Sequence, residues 1–415
     1  MTRRSTMVGL TLFLVWHSVA ATPEKSVHQE RLWALAIFTR VDQLPSIQSA
    51  KHALNAAAFS QDAASKPLHN PELGMEIDNK TDKTIGLSIS QTLDWSGMGK
   101  ARQNTAEAER RVAESNYAEK LNQTYVTVLH ALNQQHATKQ LASLAETQIE
   151  LLQRLIDVTD KRLAAGDLSL LDNELAKLSL SEALYDIAQA ESELANANGA
   201  VFSELGVIDP PAFPSLTWSS LPTQHAGEDA IDTLPSILAA QAQLQSARGL
   251  VQQAATQQRA DPTLGLGAGK EGDENVIGFS FSIPLLVRNP FSSELNAARA
   301  NELAVEQQVA ESRRRALANR ETKANQYQRL YDQWQRWQQL TTKRFKESKT
   351  LLTTLWESGD ITTADYVFGL QQRMQALKAG IAFERDLFGA WVEWLDANGQ
   401  VEPWLRQLAA NPPNP

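Results

Sequence analysis

The sequence of 415 residues contains no cysteine. Disulfide bonds, thiolate metal sites and lipidation at an N-terminal cysteine are therefore excluded. Basic residues are also in the minority, because 39 Lys and Arg stand against 48 Asp and Glu, a net charge of −9. This acidic balance argues against nucleic acid as the main partner. The hydrophobic fraction of 42% is ample for a folded core.

Glycine and proline are absent from two long stretches, Lys100 to Ala165 and Phe291 to Ser358. Gly166 ends the first stretch and Gly359 ends the second. A single helix over the first stretch would be roughly 100 Å long, at 1.5 Å per residue. Its apolar residues follow the spacing of a coiled coil, as at Leu121, Tyr125, Val128 and Leu132. Such a helix needs partner helices of similar length.

Short sequence motifs recur along the chain. Both stretches lead into similar turns, Gly166-Asp167-Leu168-Ser169-Leu170-Leu171-Asp172 and Gly359-Asp360-Ile361-Thr362-Thr363-Ala364-Asp365, at an offset of 359 − 166 = 193. Leu44-Pro45-Ser46-Ile47 recurs as Leu234-Pro235-Ser236-Ile237, at an offset of 234 − 44 = 190. The chain is therefore interpreted as an internal duplication.

The duplication suggests five segments. Residues 1–20 are predicted to be a signal peptide, with Arg3 and Arg4 before an apolar run and small residues at Ser18-Val19-Ala20. The others are a first repeat over 21–206, a linker over 207–233, a second repeat over 234–399 and a tail over 400–415. Long helices are expected over about 98–165 and 291–358, and return helices over about 169–205 and 362–397.

Alternation of apolar with small or polar residues predicts two β-hairpins. The four strands are expected over about 72–78, 84–93, 263–270 and 275–283. Strands of roughly ten residues with one apolar face suit a membrane barrel, so Leu87, Ile89, Phe279 and Phe281 are expected to face lipid. Because small barrels need about eight strands, several chains would have to contribute. Ordinary surface hairpins are the alternative.

No residues form a convincing catalytic, cofactor or metal site, so no enzyme is predicted. His130 and His136 lie six residues apart, about 120° off one helical face, which argues against a shared metal. Met75, Met98 and Met374 are scattered and do not suggest a soft-metal relay. Arg313-Arg314-Arg315 is interpreted as a solvated face.

The two glycine turns have a structural and a functional interpretation. Glycine is a common helix C-cap, and Ser169 or Thr362 can cap the return helix that follows. The functional interpretation is that the two turns lie together, far from the strands, as a docking surface. That surface would comprise Gly166, Asp167, Leu168, Gly359, Asp360 and Ile361, with Leu168 and Ile361 exposed.

The duplicated order of helix, hairpin, long helix, glycine turn and return helix resembles the TolC family of outer-membrane efflux channels. The resemblance covers nearly all of the chain after the signal peptide. The motifs that match the family are Asn70-Pro71-Glu72-Leu73, Gln91-Thr92-Leu93 and Ile283-Pro284-Leu285, together with the two turns. Within the family the chain is most similar to CzcC-like channels of heavy-metal resistance systems. Thr92 stands where the family often has Pro, and Pro290 where Gln or Gly is common.

The resemblance implies an α+β membrane protein in the outer membrane of a Gram-negative bacterium. Four β-strands per chain would join a trimeric 12-stranded outer-membrane β-barrel, and the long coiled-coil helices would form a periplasmic α-barrel. The homotrimer would be the passive exit duct of a tripartite system, docked to a periplasmic adaptor (membrane fusion protein) and an inner-membrane efflux pump. The expected cargo is heavy-metal cations. The alternatives are a drug-efflux or type I secretion conduit of the same fold and a soluble helical scaffold.

The resemblance also implies a periplasmic gate. An aspartate that matches Asp365 lines the constriction in the family, and Asp172 holds the same place in the first repeat. Threefold symmetry would turn each into a ring of carboxylates that favours cations. The alternative is that both aspartates only stabilise the N-terminus of a return helix.

Overall fold

The computed structural model describes residues 23–79, 83–214 and 228–410. The predicted signal peptide, the centre of the first hairpin turn, the middle of the predicted linker and the last five residues lie outside these ranges. The elements of the first half are α1 (Pro23–Gln43), α2 (Pro45–Ser65), β1 (Glu72–Asn79), β2 (Lys83–Thr92), α3 (Met98–Ala165) and α4 (Leu170–Leu205). Those of the second half are a 3-10 helix (Glu228–Thr233), α5 (Pro235–Thr256), β3 (Thr263–Glu271), β4 (Glu274–Ser282), α6 (Ser292–Glu357), α7 (Thr363–Ala397) and α8 (Val401–Ala410).

The order α2-β1-β2-α3-α4 recurs as α5-β3-β4-α6-α7. The entries to the two repeats have matching geometry. Leu44 and Leu234 have φ of −63° and −64° and ψ of 136° and 135°, and each precedes a proline that begins a helix. Leu44 lies against Gly206 after α4, and Leu234 lies against Gly399 after α7. The repeated sequence motifs therefore occupy equivalent places in the fold.

The long helices begin and end where local chemistry requires. Asp94 accepts hydrogen bonds from the backbone N–H groups of Met98 and Gly99, both at 2.8 Å, and so satisfies the first donors of α3. Gly166 ends α3 at φ 79°, a conformation that favours glycine. Gly359 adopts φ 82° just after α6. Both expected turns are thus sharp reversals between antiparallel helices.

The four strands form one antiparallel sheet in the order β1-β2-β3-β4. The repeats meet in its centre, where Ser88 of β2 pairs with Gly267 of β3. Each outer strand, β1 and β4, has one edge without a pairing strand in the described chain. All four connections to helices leave from one end of the sheet, and both hairpin turns lie at the other.

The main core lies where α1, α3, α4, α7 and α8 meet. Its largest fully buried side chains include Trp33, Leu129 and Phe388. Within the expected tail, residues 401–410 form α8, whose Val401 and Leu405 are fully buried. The predicted linker also enters this core, since Phe213 stacks on His136 with ring centroids 4.7 Å apart.

Among the described residues, no helix combines the length and apolar character needed to cross a membrane.

Candidate functional site

The sheet and the glycine turns lie at opposite ends of the long helices. Helix α3 contains 68 residues and is therefore roughly 100 Å long at 1.5 Å per residue. Two candidate sites follow from this separation: the two faces of the sheet, and the surface formed by the two turns.

One face of the sheet is apolar and exposed. Strand register places Leu73, Ile89, Leu266 and Phe279 in one row across all four strands. The neighbouring row contains Met75, Leu87, Ala268 and Ile277. The expected lipid-facing residues Leu87, Ile89, Phe279 and Phe281 all lie on this face and expose 53–69% of their surface. Such a large exposed apolar surface is unusual for an isolated soluble domain.

The opposite face is lined by small residues and carboxylates. Its central row is Gly74, Ser88, Gly267 and Gly278. The row nearest the hairpin turns contains Asp78, Thr84, Glu271 and Glu274, and Glu72 and Glu76 lie on the same face of β1. Among the described strand residues, this face carries five carboxylates and no Lys or Arg. This charge pattern was not predicted, although the alternation of side chains along the strands could have revealed it.

The two glycine turns are joined at the far end of the helices. The Arg162 guanidinium of α3 lies 4.8 Å from the centre of the Trp356 ring of α6, in a cation–π contact. Trp356 in turn stacks on Tyr366 of α7, with ring centroids 4.9 Å apart. Leu155 of α3 and Ala176 of α4 are buried in the same cluster. The turns of both repeats therefore belong to one packed unit.

A polar contact fixes the first turn. The Asn173 amide of α4 donates a hydrogen bond of 2.7 Å to Asp160 of α3. This bond, and Lys177 at 3.5 Å, lower the pKa of the Asp160 carboxyl below its usual value. Helix α4 is thereby held against α3 one turn after the reversal.

The exposed apolar residues of the turns differ from those expected. Gly166, Asp167, Gly359 and Asp360 are exposed. Leu168 and Ile361 are only half-buried, and Ile361 packs against the cluster around Trp356. Leu170 and Leu171 instead expose 65% and 68% of their surface at the start of α4. The sequence could not reveal which leucine of this run turns inward.

Asp365 and Asp172 cap the return helices. The Thr362 hydroxyl accepts a hydrogen bond from the Asp365 backbone N–H and donates one of 2.7 Å to its carboxylate. The carboxylate also accepts the Thr362 backbone N–H at 3.3 Å, which completes a capping box. In the first repeat, Ser169 exchanges the corresponding side-chain bonds with Asp172. Both aspartates thus stabilise a helix start, and Asp365 is exposed there.

The remaining candidates have structural contacts. His130 lies beside Gly389 and His136 stacks on Phe213. Arg313 pairs with Asp232 at 3.0 Å, and Arg314 and Arg315 both bind Glu311. Across the described part of the chain, no group of three or more His, Asp and Glu side chains is arranged to hold a metal ion.

Comparisons of sequence agree with this architecture. A profile of the family described as outer membrane efflux protein matches residues 40–207. The cobalt-zinc-cadmium resistance protein CzcC of Cupriavidus metallidurans is 25% identical over 252 residues, which is 57% of this chain. The matched region spans 60% of the length of that relative.

Solved structures share the fold over most of the chain at low sequence identity. CusC has a TM-score of 0.75 and 15% identity, over 88% of this chain and 92% of its own. The MtrE outer-membrane channel of Neisseria gonorrhoeae has a TM-score of 0.74 and 16% identity, over 89% of both chains. The CmeC outer-membrane channel of Campylobacter jejuni has a TM-score of 0.73 and 14% identity, over 90% of this chain and 89% of its own. Residues 40–207 therefore match the outer membrane efflux protein family, and the chain as a whole has the fold of the TolC-like channels.

Proposed function

We propose that this protein is the outer-membrane exit duct of a tripartite efflux system and that it exports heavy-metal cations. The observation that carries the proposal is the four-stranded sheet, with one exposed apolar face, one polar face and two edges without pairing strands in the described chain. A bilayer offers no water to satisfy such edges, so strands in a membrane must close into a barrel.

Three copies of the chain satisfy this requirement. Four strands per chain give 3 × 4 = 12 strands. Strand β4 of one copy would pair with β1 of the next, which keeps the sheet antiparallel throughout. The strands contain 8 to 10 residues, close to the length that a tilted membrane strand needs. The apolar face would contact lipid and the face of small residues would line a wide aqueous lumen.

Two adjacent residues of β4 test the barrel. Phe281 lies on the apolar face and Ser280 on the polar face of the same strand. Phe281→Arg should destabilise the inserted state by about 2–4 kcal/mol, because it places a cation in lipid, whereas Ser280→Arg should have a much smaller effect. The measurement is the fraction of trimer recovered from outer membranes of cells that express each variant at equal level.

Equal recovery of the two variants would contradict the proposed orientation of the sheet. Recovery of the unaltered protein only in soluble fractions would contradict the barrel altogether. It would favour the helical scaffold that the sequence also allowed.

The charge of the polar face supports cations as cargo. The described strand residues place five carboxylates and no basic residue on that face, which would give a lumen with a negative potential and raise the local concentration of cations. The similarity to CzcC, a cobalt-zinc-cadmium resistance protein, points in the same direction. Deletion of the gene should lower tolerance of cobalt, zinc or cadmium and leave tolerance of organic drugs unchanged. The reverse result would favour the drug-efflux conduit.

The turn surface is proposed to dock a periplasmic adaptor that connects the duct to an inner-membrane pump. Its members are Gly166, Asp167, Leu168, Gly359, Asp360 and Ile361, to which the structure adds the exposed Leu170 and Leu171. Gly359→Leu strains the backbone at φ 82° and should abolish export while trimers still reach the membrane. Gly199→Leu is the control, because an added side chain there enters open space. Normal export by Gly359→Leu would count against docking.

Asp365 is proposed to line the periplasmic gate, with Asp172 in a supporting position. Its carboxylate is exposed even though it completes the capping box, so one group can serve both roles. Asp365→Asn keeps an oxygen that can accept the Thr362 bonds and removes the charge. It should weaken cation preference and divalent-ion block in single-channel recordings, more than Asp172→Asn does. Unchanged recordings would leave Asp365 only its helix-capping role.

A further inference from the structure

The hairpin end of the sheet separates its charges between the two faces. The carboxylates of Asp78, Glu271 and Glu274 project from the polar face. The only charged strand residues on the apolar face are Lys83 and Lys270, as far as the strands are described. Basic residues thus stand on the side that the proposed barrel turns towards lipid, and acidic residues on the side of the lumen.

The two lysines are close to each other. Lys270 of β3 pairs directly with Ile85 of β2, and Lys83 lies two residues before Ile85 on the same strand. Such diagonal neighbours are about 7–8 Å apart, well within the reach of two flexible lysine side chains. One lysine comes from each repeat, and both lie on the central strands, so the pair is complete within one chain.

Among the described residues, no carboxylate neutralises the pair. Both side chains are exposed, and within the described residues neither forms an ion pair. On the same face, Ile85 lies beside Lys270, and Leu87 and Ile277 in the next row continue an apolar band. An ammonium pair above an apolar band complements a molecule with phosphate groups above acyl chains.

In the proposed duct the helices lie in the periplasm. Every helix leaves from one end of the sheet, so the opposite end, with the hairpins, is the outer end of the barrel. We propose that Lys83 and Lys270 together bind the phosphate groups of an anionic glycolipid in the outer leaflet, whose acyl chains cover the apolar band. The inference rests on the proposed function, since it requires the sheet to be inserted with its apolar face in lipid. Three such sites would surround a trimer.

The test uses the purified full-length channel in neutral detergent, titrated with bisphosphorylated lipid A and analysed by native mass spectrometry. The same lipid without its phosphates is the second arm. The parent protein should prefer the phosphorylated lipid. Lys83→Gln and Lys270→Gln should each weaken binding about fivefold, and the double variant about 25-fold, because each lysine near an anionic surface adds a similar increment.

Two further variants separate charge from structure. Lys83→Arg with Lys270→Arg keeps both positive charges and should bind almost as well as the parent. Lys161→Gln removes an exposed lysine at the far end of α3 and should have no effect. If the double glutamine variant does not insert, the single variants with their fivefold losses decide the question.

Three results would overturn the inference: equal binding by the double glutamine variant and the parent, equal binding of the two lipids, or complete displacement by millimolar inorganic phosphate, which would indicate a site for free anions. These results are distinct from failure of the proposed function. In that case the unaltered chain would not be recovered as a trimer in outer membranes, whatever the lysines do.

Discussion

The two repeats share a fold but pack their helices differently. In the first repeat, α4 presents buried alanines at seven-residue intervals towards its neighbours: Ala176, Ala183, Ala190 and Ala197. In the second repeat, the contact between α6 and α7 is aromatic, with Tyr327 and Trp334 buried beside Phe383 and Trp391. Small residues permit close helix contact over a long seam, whereas large rings concentrate the buried area at a few positions.

This difference shows how a duplicated architecture tolerates divergent sequences. The places where the chain reverses or enters a helix have kept their chemistry, as at Leu44 and Leu234 or at Gly166 and Gly359. The residues in the seams between helices, in contrast, have diverged. A coiled-coil seam needs apolar residues of complementary volume, and many combinations meet that condition.

The largest expected effect lies in the aromatic seam. Trp334 exposes 2% of its surface and stacks on Trp337 with ring centroids 5.1 Å apart. Trp334→Ala should lower the free energy of unfolding by about 3–5 kcal/mol, because it leaves a large cavity. Ala183→Gly in the first seam should lower it by only about 1 kcal/mol. The measurement is urea unfolding of the solubilised protein, and equal losses would mean that the two seams carry similar energy.

Replacement of a glycine by alanine should have opposite effects on stability in the two return helices. A β-carbon at Gly380 of α7 would lie 2.5 Å from the Trp337 ring, whereas one at Gly199 of α4 would meet nothing within 4 Å. Gly380→Ala should therefore destabilise by about 1–3 kcal/mol through overpacking. Gly199→Ala should stabilise by about 0.5–1 kcal/mol, because alanine favours helix. Thermal unfolding of both variants gives the comparison, and stabilisation by Gly380→Ala would show that Trp337 moves freely.

Removal of the two N-cap side chains, Thr362 and Ser169, should change stability by amounts that differ less than those of the two glycine variants. Thr362 both accepts a bond from the Asp365 backbone and has its own N–H bound by the Asp365 carboxylate, whereas the structure gives Ser169 only the side-chain bonds with Asp172. Thr362→Ala removes the hydroxyl that orients the Asp365 carboxylate and so weakens both bonds of the capping box; it should cost about 1–2 kcal/mol, and Ser169→Ala about 0.5–1 kcal/mol. Amide hydrogen exchange at the first turns of α7 and α4 would report each loss. Faster exchange in α4 than in α7 would reverse the expected order.

Much of the fold could be predicted from the sequence because its boundaries depend on local chemistry. The helix expected over about 98–165 is α3, Met98–Ala165, since Gly97 and Gly166 provide the left-handed residues on either side. No helix was predicted within the tail, where the structure has α8; its Pro403 lies in the first turn, where proline is tolerated.

The candidate site was less accessible to prediction. The contact between Arg162 and Trp356 joins residues 194 positions apart (356 − 162), and no local pattern links them. The capping roles of Ser169 and Thr362 follow from their spacing to Asp172 and Asp365, and the structure shows those bonds. Which apolar residue of a turn is exposed depends on the packing of neighbouring helices, so Leu171 could not be distinguished from Leu168.

The smallest expected effect concerns pH and should arise in the first repeat. The His136 ring is stacked on Phe213, and its Nε2 lies 2.9 Å from the Gln140 amide nitrogen, which can only donate. Burial, with a smaller contribution from Lys139, lowers the pKa of His136 below its usual value. At the offset of 193 the second repeat has Arg329 (136 + 193), which is exposed and permanently charged.

The sign follows from proton binding. Because the folded pKa of His136 lies below the unfolded value, the unfolded chain binds this proton first as pH falls through about 6.5. The stabilisation present at neutral pH therefore decreases below that value, by at most about 0.7 kcal/mol between pH 7 and pH 6 for one histidine. His136→Phe should retain the ring stacking and reduce this dependence, while Arg329→Gln should leave it unchanged. The free energy of unfolding of both variants at the two pH values gives the answer. An unaltered pH dependence in His136→Phe would assign the acid sensitivity to other groups and remove this distinction between the repeats.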